Sequence, residues 1–389
     1  MSKVVAVIAE YNPFHNGHKY QIDKIREEIS DATIIAIMSG NIVQRGDFAF
    51  ADKYARAKMA INCGIDAVFE LPFPYACSTA EIFASAGVEI ASSLGADYLY
   101  FGIESEDVKS LEIIADTINS QEFENQIELL SNDKSISYPV LREKALSKMG
   151  VKLSNQSNDM LAVEYIRAIK NKNLSMEYRA IKREGAGYKD SLVCDLMSAS
   201  AIRNNFYKNG EALSVPRKAS EVLNKEISLG KINDREVTNR LLLSSVLLSR
   251  PEQLECVFDV PSGMGYYLYE CAKKCKNPTN FTDDLSSKNY TTARLKRAVI
   301  YNLFNVQSID KSPDFTILLG ANEKGRKIIS LNKNVEDFTI ITKHSDAKNL
   351  SFESKCAYEK CLHSDEMFAT LCIKPYTPDT AYKQHPYIS

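Results

Sequence analysis

No stretch of this 389-residue sequence is apolar for long enough to cross a bilayer, so an integral membrane protein is not expected. A secretory leader is not expected either. The apolar stretch in MSKVVAVIAEYNPFHNGH is short, Glu10 interrupts it, and no small-residue cleavage triplet follows. The cysteines are few for the length and odd in number, nine in all, and none forms a Cys-x-x-Cys pair. That spacing argues against a disulfide scaffold and gives no reason to expect a metal site, and it fits a reducing compartment such as the cytoplasm. A Rossmann glycine fingerprint and a Walker loop are both missing, which removes the usual signatures of dinucleotide binding and of P-loop hydrolysis. Net charge is nearly absent as well, at -2. The balance hides a gradient: residues 1–150 are acidic, whereas 170–240 and 273–300 are basic. A polyanion would meet the later regions more readily. Histidine is scarce, with five in the chain, and two of them lie three residues apart at positions 15 and 18.

The pattern along the first hundred residues is a repeated strand, turn and helix. KVVAVIA (3–9), TIIAIM (33–38), DAVFELP (66–72) and ADYLYFG (96–102) are short, almost continuously apolar runs, as buried parallel strands are. Helical periodicity follows each of the first three, from about His18, over 51–63 and over 79–93. The fold class expected is α/β, a Rossmann-like parallel sheet with helices on both faces. Further helices are expected over 107–130, 139–149 and 160–169, with a polar loop at 151–159 and an edge strand at 174–184 broken by Gly185 and Gly187. Segments 217–228, 234–249, 264–275 and 291–304 are helical in pattern, whereas DFTILLGA (314–321) fits a strand or a buried helix start. The length favours more than one packed unit. The change of pattern divides the chain into a nucleotide-binding domain, 1–205, and a mainly helical, basic domain, 206–389.

Ligands of such sheets sit beyond the carboxyl ends of the strands. His15, His18, Ser39, Gly40, Asn41 and Gly102 all fall there. In PFHNGH, Gly17 would let backbone approach a ligand, and a helix starting at His18 would aim both rings at its amino end, where unpaired N–H groups attract phosphate. Imidazole donates to phosphate oxygen, more strongly when protonated. No nucleophile is near, so the chemistry indicated is stabilisation of charge on a transferring adenylyl group.

HNGH resembles the His-x-Gly-His signature shared by nucleotidyltransferases and class I aminoacyl-tRNA synthetases. The ordered series EYNPFHNGH, MSGNIVQRGD, VFELPFPYA, FGIES and IKREGAGYKD resembles the bacterial tRNA(Met) cytidine acetate ligase family, closely over the first 205 residues and more loosely beyond. That resemblance implies an enzyme that uses ATP to activate acetate as acetyl-adenylate with release of pyrophosphate. The acetyl group then passes to N4 of the wobble cytidine, position 34, of elongator tRNA(Met). The implied partners are ATP, acetate and elongator tRNA(Met), with neither DNA nor membrane. Magnesium is expected alongside the triphosphate.

On the same resemblance the first ATP-binding stretch is Ile8, Ala9, Glu10, Tyr11, Asn12, Pro13, Phe14, His15, Asn16, Gly17, His18, Lys19 and Tyr20. His15 and His18 would act on the phosphates, and Gly102, Asn158 and Arg183 would contact the nucleotide. The residue after Asn158 is Asp159 where the family has asparagine, and Ala162 stands where glycine is common. Asn158 serves equally well as a helix cap. SASAIR resembles the superfamily's second phosphate motif, with Ser198 and Ser200 as caps or phosphate donors and Arg203 bridging to the phosphates as a third catalytic residue. Arg45 and Arg56, in the QRG and DK-x-x-R elements, are candidates for phosphate or substrate contact, or scaffold ion pairs. Glu70 or Glu81 would orient a base or the substrate amine. In KNYTTARLKRAVIYNLF, Arg294, Lys296 and Arg297 are the candidate tRNA contacts, or a solvated helix face. Two other functions share these features: a small-molecule adenylyltransferase, and a non-catalytic tRNA-binding protein with a relic nucleotide site.

Overall fold

The computed structural model describes residues 2–131, 138–152, 154, 156–183, 197–310, 312–331, 337–377 and 385–389. The expected EGAGYKD turn, with Gly185 and Gly187, lies outside them. In chain order the first half comprises β1 (Val4–Ala9), α1 (Asn16–Glu28), β2 (Thr33–Ser39), the hairpin β3 (Ile42–Val43) and β4 (Asp47–Phe48), α2 (Lys53–Asn62), β5 (Ala67–Leu71), α3 (Ala80–Ser93), β6 (Tyr98–Ile103), α4 (Val108–Ile118), α5 (Gln121–Ser131), α6 (Tyr138–Lys148), α7 (Ser157–Asn171) and β7 (Glu177–Lys182). The second half comprises α8 (Ala199–Asn209), α9 (Arg217–Leu229), α10 (Arg235–Leu248), α11 (Pro251–Leu254), α12 (Met264–Lys273), α13 (Thr292–Leu303), β8 (Phe315–Ala321), α14 (Glu323–Leu331), β9 (Thr339–Ile341), α15 (Phe352–Thr370) and β10 (Tyr387–Ile388).

The sheet runs β10-β8-β5-β2-β1-β6-β7, with β9 also on β8. Strands β5, β2, β1, β6 and β7 are mutually parallel. The chain moves outward from β1 to β2 and β5, then crosses back to β6 and β7. The direction therefore reverses between β1 and β6, and a crevice opens there at the strands' carboxyl ends. Alternation along β1 separates two cores. Val5 and Val7 face one that also holds Ile22 and Ile25 of α1, while Ala6 faces the other, with Ala162, Val163 and Ile166 of α7.

Several boundaries differ from the sequence reading. The first helix begins at Asn16, because His15 itself is the cap. The helix expected over 107–130 is two helices, and α7 takes in the end of the expected 151–159 loop. The larger difference concerns residues 206–389. They are helical as far as α13, but β8 then pairs antiparallel with β5, and β9 and β10 pair with β8. The C-terminal segment thus extends the first domain's sheet rather than remaining mainly helical. All seven residues of β8 are buried, so its pattern carried no period to distinguish strand from helix. One hydrophobic core runs through both halves, from Val5 to Cys372.

Candidate nucleotide site

The turn after β1 is built from its own two histidines. The His15 Nδ1 accepts from the Gly17 N–H at 3.1 Å, and the His18 Nδ1 accepts from the His15 N–H at 3.2 Å. Together they make a reciprocal capping box at the start of α1. Because a backbone N–H can only donate, both Nδ1 atoms are unprotonated acceptors. Each neutral ring therefore carries its proton on Nε2, leaving that N–H for a ligand. The rings stack with centroids 3.7 Å apart, and Tyr11 meets His18 edge-on at 4.8 Å. Tyr11 holds φ at +46°, in the left-handed region that costs a bulky side chain energy, as turns built for function do. Gly17 has a different use from the one expected. A Cβ there would sit 3.0 Å from the His15 ring, so the glycine admits the imidazole rather than a ligand's approach.

Burial lowers the pKa of His15 to about 4, with the nearby Arg183 charge adding to the effect. Burial, then His15, then Arg183 hold His18 well below its ordinary value. Of the two forms of imidazole that could donate to phosphate, the surroundings favour the neutral one, with Nε2–H as its donor. The unfolded chain takes up protons at these positions below about pH 6.5, while the fold resists doing so. Stability is accordingly full above that pH and declines as pH falls toward about 4. His15 contributes on the order of 3 kcal/mol to this decline. Melting temperatures measured from pH 8 to 4.5 should fall less steeply for His15→Asn than for the parent. Parallel slopes would show that the ring titrates normally.

The rest of the ATP-binding stretch is largely scaffold. Tyr11, Pro13 and Phe14 are buried, and the buried Asn12 Oδ1 accepts from the Phe50 N–H at 2.7 Å. Asn16 N–H donates to the Ser214 carbonyl at 3.0 Å, and Lys19 pairs with Asp23 on the helix surface. Ile8 fills the space left by Gly87, Ala9 packs against the first core, and Tyr20 does the same from α1. Glu10 anchors the next loop: its Oε1 accepts from the Gln44 N–H at 3.0 Å.

On the other side of the crevice, Gly102, Asn158 and Arg183 come together. A Cβ on Gly102 would lie 3.1 Å from Arg183 Cγ, so the glycine lets the arginine stem lie flat over β6. Arg183 Nη1 donates to Asn158 Oδ1 at 3.1 Å, while Asn158 Nδ2 donates to Glu104. Asn158 is inside α7 and does not cap it. Asp159, where the family has asparagine, has a use for a group that only accepts. It takes N–H bonds from Glu104 at 2.7 Å and Ser105 at 3.1 Å and hydroxyl bonds from Ser105 and Ser154, clamping the loop after β6. Ala162 is fully buried in the second core, away from the crevice. Ser198 caps α8 through the Ala201 N–H, and Ser200 Oγ accepts from Arg203 Nη2 at 3.2 Å. Arg203 Nη1 donates to the Asn12 carbonyl at 2.6 Å, which brings the second phosphate motif against the histidine turn.

Arg45, Arg183 and Arg203 share one property: each donates to a neutral oxygen, of Ser157, Asn158, and Asn12 with Ser200. Most other arginines with a partner, among them Arg26, Arg142, Arg167 and Arg235, pair with carboxylates. Three guanidinium charges that meet no carboxylate among the described residues, around one crevice, suit a polyanion.

Arg56 does not join them. It is fully buried and donates to the carbonyls of Glu10, Ser39, Gly40 and Ala51, tying the loops after β1 and β2 together. Glu70 and Glu81 do not face a substrate either. Glu70 is fully buried on Lys53 at 2.7 Å, and Glu81 is a surface partner of Arg167 at 3.7 Å. The three basic residues of α13 are likewise engaged within the protein. Arg294 pairs with Asp259 at 2.7 Å, Lys296 bridges Asp47 and Asp283, and Arg297 is 7% exposed beside Asp259. Their charges are thus met by carboxylates within the protein, and Arg297 lies on the core side of the helix. Arg45, by contrast, is exposed, and its partner Ser157, 112 positions away, is one that no spacing in the sequence points to.

A sequence model of the family described as HIGH nucleotidyl transferase matches residues 2–384. A tRNA(Met) cytidine acetate ligase of Thermoanaerobacter sp. (strain X514) is 35% identical over 388 residues, spanning 95% of this chain and 96% of its own. This chain belongs to the tRNA(Met) cytidine acetate ligase family. Another member, from Caldicellulosiruptor saccharolyticus, is 32% identical and spans 99% of this chain and 98% of its own. The family's fold is seen in the crystal structure of Thermotoga maritima TmcAL bound with alpha-thio ATP. That structure superposes with a TM-score of 0.90 at 28% identity, covering 99% of both chains. The α/β architecture expected from the strand and helix pattern is therefore the family's own, and an ATP analogue occupies that relative.

Proposed function

We propose that this chain is an ATP-dependent tRNA(Met) cytidine acetate ligase. The observation that carries the reading is the convergence on one crevice of two Nε2–H imidazoles and the Arg183 and Arg203 guanidinium groups, in a chain of this family. ATP lies across the β1/β6 crevice, its base side toward Gly102 and Arg183 and its phosphates toward α1 and Arg203. An acetate oxygen attacks the α-phosphorus, the bond to the bridging oxygen breaks, and pyrophosphate leaves with the electron pair. No proton moves in this step, so neutral imidazoles suffice: their N–H groups and Arg203 stabilise the charge growing on the phosphates. In the second step N4 of the wobble cytidine in elongator tRNA(Met) attacks the acetyl carbonyl. AMP leaves, the amine gives up a proton, and N4-acetylcytidine results. Loop bases of this kind are splayed out for such chemistry.

Magnesium would ride on the phosphate oxygens and neutralise part of their charge. Among the described residues no group of three or more His, Cys, Asp or Glu is placed to hold it. Among them, too, no helix is long and apolar enough to cross a membrane. A tRNA substrate supports a cytoplasmic place of action.

Acetate-dependent exchange between ATP and labelled pyrophosphate, measured without RNA, tests the first step. Transfer of labelled acetate to elongator tRNA(Met) tests the second. Exchange is expected to require acetate, and label to appear in the tRNA only when ATP is present. A folded enzyme that converts a small substrate without RNA would be an adenylyltransferase. One that binds tRNA but shows no exchange would be a binding protein.

A further inference from the structure

Arg45 stands at the tip of the β3–β4 hairpin, and the hairpin is fixed on every side. Gln44 N–H donates to Glu10, and Gln44 Nε2 donates to the Ser78 carbonyl at 2.9 Å. Gly46, at φ +80°, sits so close to α13 that a Cβ would fall 2.5 Å from the Arg297 nitrogen. Lys296 holds Asp47 at 3.1 Å. A mobile, solvated arginine needs no such mounting. From it the exposed guanidinium reaches across the strand ends to the Ser157 hydroxyl, at 3.0 Å, on the first residue of α7.

The placement relative to the sheet gives this pair a direction. The histidine-bearing α1 packs through Ile22 and Ile25 into one core, and α8, which carries Arg203, packs through Phe206 into the same core. Helix α7 packs through Ala162, Val163 and Ile166 into the core on the opposite face. Ser157 thus belongs to the face opposite α1 and α8, and Arg45, whose hairpin packs through Ile42 and Phe48 into the same core as those helices, reaches over to it, so the pair ends on the α7 side of the β1 terminus. In phosphoryl and adenylyl transfer the entering and leaving oxygens are roughly in line. The side opposite the leaving group is where the nucleophile must be held.

We propose that Arg45 and Ser157 form the subsite for the acetate carboxylate. The inference rests on acetate being the nucleophile toward ATP. A guanidinium fork matches a carboxylate, and the hydroxyl adds a third donor. The carboxylate takes the place that Ser157 Oγ now holds as acceptor for Arg45. A ligand as small as acetate offers little surface for binding, so its position depends on donors that are already set, which the braced hairpin provides.

The test is RNA-free ATP–pyrophosphate exchange titrated with sodium acetate, for the parent, Arg45→Ala, Arg45→Lys and Ser157→Ala, with melting curves confirming the fold. Arg45→Ala should raise the acetate KM about tenfold or more, the usual scale of a charge-assisted pair, while the ATP KM stays within about twofold. Arg45→Lys, which keeps the charge and loses the fork, should recover part of the loss. Ser157→Ala should raise the acetate KM less. If Arg45→Ala is too slow to titrate, the lysine variant carries the measurement. An unchanged acetate KM overturns the assignment. So does a rise confined to the ATP KM, which would give Arg45 to the nucleotide, or, when transfer of labelled acetate to elongator tRNA(Met) is titrated in parallel, a rise confined to the tRNA KM, which would give it to an RNA phosphate. Absence of acetate-dependent exchange in the parent enzyme is a separate failure, that of the functional reading itself.

Discussion

Replacing His18 with alanine should lower the rate of acetate-dependent ATP–pyrophosphate exchange about 10²- to 10³-fold with little change in either KM. That is the scale seen when one preorganised donor is removed from developing charge. The ring has two attachments. Its Nδ1 caps the His15 N–H, and in the proposed function its Nε2–H donates to the phosphates. Losing the cap alone costs about 1 kcal/mol of stability, a small shift in melting temperature. Losing the Nε2–H donor affects the transition state and therefore kcat. His18→Asn separates the two, since its amide can accept from His15 but does not reach as far as an imidazole. It should restore the melting temperature and leave the rate low. A His18→Ala enzyme with exchange within about threefold of the parent would remove the ring from charge stabilisation.

The second large effect lies below the crevice. Lys53 is 1% exposed in its side chain, and its ammonium pairs with Glu70 and Asp365, each at 2.7 Å. Burial alone would lower its pKa, but Asp365 and then Glu70 outweigh that and hold it well above the ordinary lysine value. Asp365 is pushed up by burial against the pull of Lys53, as expected where two carboxylates share one ammonium. Asn41 joins the cluster, donating to Asp365 at 3.0 Å and accepting the Lys53 N–H at 2.8 Å. Gly40 rests directly on it: a Cβ there would lie 2.1 Å from Glu70 Oε1. Lys53→Ala strands two carboxylates in the core and should destabilise the fold by about 3–5 kcal/mol. The loss should be greatest above neutral pH and should shrink on acidification. A carboxyl whose folded pKa lies above its unfolded one binds its proton more tightly in the fold, so it favours folding increasingly as pH falls. Denaturation midpoints of parent and variant at pH 8 and pH 5.5 would show this. Equal midpoints at pH 8 would mean that the carboxylates are not both charged and buried.

How far this protein can be read from its residues differs by region. The parallel strands were legible because each is an almost continuously apolar run bounded by glycine or polar turns, and the edge strand expected over 174–184 is present at 177–182. The histidine turn was legible because chemistry-bearing residues sit next to each other in sequence. The uses of Asp159, Arg56, Glu70 and the cations of α13 were not. A charged side chain shows its type in sequence but not its burial, and burial decided whether each was a ligand contact or an internal strut. DFTILLGA remained ambiguous because strand and buried helix both demand apolar residues at every position.

The sequence by itself determined the α/β rhythm, the histidine turn and the family, since all of these depend on neighbours along the chain or on periodicity. The tertiary structure alone decided which cations meet carboxylates among the described residues. It folded Asp47, Asp259 and Asp283 onto α13, brought Asp365 to Lys53 from more than three hundred residues away, and set Arg45 against a hydroxyl. Coulomb interactions depend on distance through space and on the surrounding dielectric, and neither is written in the order of residues.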